Sequence, residues 1–158
     1  MELTEKTGPA ARGGPPPHRG GAPAVRTPAQ ARAQAETVVR RAWDAAGGRR
    51  PRDEDVIDLL LVVSELVTNA IRHGGGLTGF AARPVPDGAP VPDGVRIAVH
   101  DRSDVVPPVA YGQGAPPPGH LGSGYGWPLV IRLAREVSVD RRPGGGKTVT
   151  VLVPVRAA

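Results

Sequence analysis

The chain has 158 residues, 22 of them Gly and 19 Pro, with no cysteine and a formal net charge of +5. That length suffices for one domain with a real core. The lack of cysteine excludes disulfides and thiolate metal sites, and fits a reducing cytoplasm. No apolar run reaches the roughly 18 residues a membrane span needs, and the N-terminus has no apolar segment of a secretory signal. The basic balance invites a nucleic-acid reading. With only five aromatics and Arg residues scattered among Gly, Pro and Ala, a base-stacking platform is not expected.

Residues 1–27 are rich in Pro and Gly and poor in large apolar groups. They read as a disordered tail, because little burial offsets the entropy of ordering. Residues 28–158 read as the folded domain. Ala31, Ala35, Val38, Val39, Ala42 and Trp43 recur at helical spacing, so the pattern predicts a helix over 28–46. Thr27 is its candidate cap, Pro28 its first residue, and Gly47-Gly48 its stop.

A second helix is expected from about Asp53 to His73, with acidic residues in its first turn. Val56, Leu59, Leu60, Val63, Val67, Ala70 and Ile71 give it a broad apolar face. Glu65, Asn69 and Arg72 fall within about 40° of one another on a polar stripe beside that face. An Asn carbonyl oxygen suits Mg²⁺, which keeps waters and phosphate oxygens as its other ligands. A nearby carboxylate can take a proton from a hydroxyl, and an Arg one turn on can face phosphate. The bland alternative for the stripe is a solvated helix face. His73 alone reads as a helix-end residue, and without a second His or Cys at metal spacing zinc is discounted.

Leu77–Val85 is a weak strand candidate, and residues 86–94 form a turn-rich connection. Val95–His100 alternates well and reads as a strand ending at Asp101, a position where α/β sites place polar groups. Residues 102–123 are a long Pro/Gly loop, read as a lid. The glycines at 122, 124 and 126 precede a third helix over 127–136, where backbone can approach a phosphate. Residues 137–140 and 147–155 form a hairpin around 141–146. The expected class is α+β: a two-layer sandwich with a mixed, mostly antiparallel sheet and helices on one face.

These motifs, in this order, resemble the Bergerat, or GHKL, ATP-binding fold of histidine kinase-like ATPase domains. Glu65-Leu-Val-Thr-Asn69-Ala-Ile-Arg-His73 is similar to its N box, Val99-His100-Asp101-Arg102-Ser103 to its first glycine box, and Gly122–Gly126 to its second. The resemblance spans residues 28–155. It implies ATP and Mg²⁺ as cofactors, with Glu65 as general base and Asn69 holding the metal. It further implies Arg72 and His73 near phosphate, Asp101 and Ser103 at the adenine with Thr148 in support through water, and Gly122, Gly124 and Gly126 at the phosphates. Ser103 and Asp104 depart from the pattern, standing where many relatives carry Gly, and only Arg102 and His120 bring positive charge to the lid.

Within that fold the wording resembles small bacterial anti-sigma-factor serine/threonine kinases. That implies a cytoplasmic regulator of transcription acting on a sigma factor or an anti-anti-sigma (STAS-type) protein, with a possible homodimer and no direct contact with nucleic acid or membrane. Two functions follow from it: a kinase that phosphorylates the anti-anti-sigma partner, or a non-catalytic module that sequesters a regulator when ATP is bound. An N-terminal strand is common in that branch; Gly20–Thr27 is poorly strand-like, so that edge is expected to be missing, displaced or supplied by a partner.

Overall fold

The computed structural model describes residues 24–86, 90–106 and 126–158. Helix α1 (Pro28–Ala45) starts where its cap dictates: Thr27 is extended, and its hydroxyl accepts from the Gln30 amide at 3.2 Å. Gly47 and Gly48, at φ +88° and +72°, end the helix in the left-handed region that L side chains avoid. Ala31, Ala35, Val39 and Trp43, four residues apart, form its buried stripe.

Helix α2 (Asp53–Arg72) carries Asp53, Glu54 and Asp55 in its first turn and Arg72 in its last, both favourable to the helix dipole. Asp55 also turns inward. Its carboxylate accepts from the Arg156 amide at 2.9 Å and from the guanidinium at 3.0 and 2.9 Å. This fastens the chain after the last strand to the start of α2, and an Arg52 amide bond to the Arg156 carbonyl at 2.9 Å seconds it. The Arg156 guanidinium holds the Asp55 carboxyl below the usual carboxylate range.

Four strands complete the domain: β1 (Leu77–Val85), β2 (Gly94–Asp101), β3 (Glu136–Arg141) and β4 (Lys147–Pro154). They lie in the order β1-β2-β4-β3, and every pairing is antiparallel, so the parallel component of the expected mixed sheet is not found among the described residues. Helix α3 (Gly126–Leu133) sits between β2 and β3 in sequence and packs on α2. It stops three residues short of the expected end at Glu136. Glu136 instead pairs with Leu152 in the sheet, and the Arg135 amide bonds the Leu152 carbonyl at 2.7 Å. Pairing with β4 overrides the helical propensity of Arg-Glu.

Alternation along the strands sets the two faces of the sheet. Val95, Ile97, Val99 and Asp101 of β2 share one face with Lys147, Val149, Val151 and Val153 of β4, all of them buried. The helices cover that face. Leu59, Val62, Val63, Leu66 and Val67 of α2 fill the core beneath it, joined by Val130 of α3. Each such side chain, fully buried, contributes roughly 1.5–3 kcal/mol. Residues 24–26 form no strand, β1 is an edge of the sheet among the described residues, and the rest of the tail lies outside them.

Candidate functional site

The C-terminal half of α2 organises the site. Glu65 and Asn69 are half-buried on successive turns. Both approach the first residue of α3: a Cβ built on Gly126 would lie 2.6 Å from Glu65 Oε2 and 3.7 Å from Asn69 Nδ2. Glycine at 126 therefore leaves a cradle between the start of a helix and two polar side chains. Backbone amides at such a start favour phosphate. The structure brings together residues that stand some sixty positions apart in sequence. Gly122, Gly124 and His120 lie outside the described residues.

The end of α2 leads to the second part of the site. The Gly74 amide bonds the carbonyls of Asn69 and Ala70 at 3.0 and 3.1 Å, and Gly75 and Gly76 turn the chain away at φ +70° and +120°. The Gly74 carbonyl accepts from the Arg102 amide at 2.9 Å, which ties the end of β2 to the end of α2. A side chain at 74 would collide with Asp101 Oδ2, so glycine is what admits the carboxylate here. Arg72 and His73 are exposed at this helix end, and His73 is its cap.

Asp101 faces the helices, and its side chain is only 6% exposed. Its Oδ1 accepts from the Ser103 amide at 2.9 Å, so Ser103 positions the carboxylate through its backbone. The Lys147 ammonium lies 2.8 Å from Oδ2 and 3.1 Å from Oδ1, itself 7% exposed. Lys147 is the direct side-chain partner of Asp101 that the motifs do not single out. It pairs with Asp101 across β2 and β4, on the face that the helices cover.

Thr148 is correspondingly a correction. It lies on the opposite face, where its hydroxyl and His100 Nδ1 are 2.6 Å apart. It therefore does not support Asp101, because neighbouring strand residues point to opposite sides. The run Val149, Val151, Val153 was the available signal: its parity places Lys147 inward and Thr148 outward. Burial, assisted by Arg142, pushes the His100 imidazole below its ordinary pKa.

The hairpin glycine Gly146, at φ +82°, abuts the Asp101 backbone carbonyl, and its amide donates to Asp104 Oδ1 at 2.7 Å. Asp104, at the start of the expected lid, is thus fastened to the β3–β4 turn. Among the described residues, no cluster of three or more His, Cys, Asp or Glu side chains could hold a metal by itself. The donor set and the Gly126 cradle fit Mg²⁺ with a nucleoside triphosphate. No helix of the described residues is long and apolar enough to cross a membrane.

No curated protein matches the chain. The model of the histidine kinase-like ATPase domain matches residues 27–153, a span that contains every element described above except the last residue of β4. The chain belongs to the family of histidine kinase-like ATPase domains.

Proposed function

We propose that this domain binds Mg·ATP and transfers the terminal phosphoryl group to a Ser or Thr of a protein partner, an anti-anti-sigma protein of the STAS type, in the cytoplasm. The observation that carries the reading is the approach of Glu65 and Asn69 to Gly126 at the start of α3. Asn69 would hold the metal through its amide oxygen, and the first amides of α3 would bind the phosphates. Glu65, on the same stripe, accepts the proton of the attacking hydroxyl. Mg²⁺, when bound, neutralises charge on the phosphate oxygens. Asp101 is the anchor for the base.

Incubation with labelled ATP, Mg²⁺ and a candidate partner tests this directly. Label on the partner is the expected result; ATP binding without transfer would sink the kinase reading. One observation favours a second reading, a non-catalytic module that sequesters a regulator when ATP is bound: Arg102 and His120 are the only basic residues of the 102–123 loop, which is thin positive charge for stabilising a transferring phosphoryl group.

A further inference from the structure

Under the proposed function, Asp101 anchors the base by accepting a hydrogen bond from its amino group. Both oxygens of that carboxylate are already engaged within the fold. Oδ1 accepts from the Ser103 amide at 2.9 Å and from the Lys147 ammonium at 3.1 Å. Oδ2 meets the same ammonium at 2.8 Å, and it lies so close to Gly74 that a Cβ there would overlap it. The pair is nearly closed to solvent, and so to the edge of a base.

A base reaches this carboxylate only where one of these contacts gives way. The Ser103 and Gly74 contacts are made by backbone, and the Gly74 amide is itself bonded to the carbonyls of Asn69 and Ala70. The Lys147 backbone is fixed too. It forms the last rung of the β2–β4 ladder, and its neighbour Gly146 abuts the Asp101 carbonyl. The ammonium alone sits at the end of a flexible four-carbon stem.

Building on the nucleotide-binding reading above, we infer that Lys147 is an affinity-setting residue whose ammonium competes with the base for Asp101, so that a nucleotide binds by displacing it. Giving up a hydrogen bond between charged groups weakens binding by about ten- to a hundredfold. The sign is the opposite of what charge alone predicts, because a cation beside a site for an anionic nucleotide ordinarily strengthens binding.

Calorimetric titration of the full chain with Mg·ATP and with Mg·tripolyphosphate, which carries phosphates and no base, tests this. Lys147→Gln keeps a donor for Asp101 and removes the charge. It should tighten ATP by about tenfold or more and leave tripolyphosphate within about threefold of the parent. Lys147→Arg, which keeps a charged donor on the carboxylate, should bind ATP no tighter than the parent. Unchanged or weaker ATP binding by a folded Lys147→Gln overturns the inference and leaves the proposed function standing. Equal tightening of both ligands does the same. If Lys147→Gln fails to fold, the parent decides. Lys6 and Lys147 are its two lysines, so isotopic labelling of lysine resolves the Lys147 ammonium by NMR. Its resonance should shift at saturating ATP, and an unmoved resonance overturns the inference. Absence of ATP binding by the parent and by Lys147→Gln alike overturns this inference together with the nucleotide-binding reading.

Discussion

Replacing Gly146 with alanine should destabilise the domain far more than replacing Gly144, although the two share one turn and nearly one backbone conformation. Gly144 has φ +88° and open space where a Cβ would stand. Its alanine variant pays about 1–2 kcal/mol for the left-handed conformation. It recovers about 0.4–1 kcal/mol from the stiffer unfolded chain. The net cost is about 1 kcal/mol. Gly146 has φ +82°, so the same terms apply, but its Cβ would strike the Asp101 carbonyl oxygen and stand 3.2 Å from the carbonyl carbon and 3.3 Å from Arg102 Cα. Those atoms are backbone at the end of β2 and cannot swing aside. Relief requires opening the last rung of the β2–β4 ladder, where Asp101 pairs with Lys147, and disturbing the Gly146 amide bond to Asp104. A further cost of about 2 kcal/mol follows, for a total of about 3 kcal/mol. Urea denaturation of the two variants beside the parent measures the difference at constant slope. Equality of the two variants within about 0.5 kcal/mol would refute the claim that close approach, rather than backbone conformation alone, is what requires glycine at 146.

Gly126→Ala should leave stability within about 1 kcal/mol, since the crowded atom is the movable end of Glu65 and alanine favours a helix. It should nevertheless weaken Mg·ATP, read by titration, because the cradle is filled. Glu65→Gln should lower phosphoryl transfer by about a hundredfold or more while ATP affinity stays within about threefold, measured on one preparation. Acid titration of stability should carry a contribution from Asp55. Its folded pKa lies below the ordinary 3.8, so the Arg156 contact stabilises above that value and is lost as pH falls through the folded pKa. Asp55→Asn should flatten the loss below pH 3.8. His100 has the opposite charge type and also a depressed pKa. Below 6.5 the unfolded chain takes up a proton that the folded chain refuses, so stability should fall as pH drops from 6.5 toward the folded value, and His100→Gln should remove that slope.

How far the site was readable depended on which physical signal each residue carried. Helix α2 announced itself through a long 3.6-residue apolar pattern with acidic residues at its start, and the same periodicity put Glu65 and Asn69 on one stripe. The partner of that stripe was less accessible. Nothing local to Gly126 says that its missing Cβ makes room for Glu65; only the packing of α3 on α2 does. The end of α3 was overestimated because Arg135 and Glu136 suit a helix, whereas cross-strand pairing with Leu152 decides their conformation.

The exchange of Thr148 for Lys147 has a different cause. A motif assigns roles by likeness of letters, but a strand assigns them by parity, and a shift of one residue changes the face. Val149, Val151 and Val153 must be inward because they are core, which leaves Lys147 inward at the same end of the strand. A cation placed there without a partner would be costly to bury. The fold therefore demands an acid opposite it, and Asp101 stands at the paired position. Asp101 thus neutralises Lys147, and under the proposed function it would also recognise the ligand. Any account of its substitution has to separate loss of the ion pair from loss of binding.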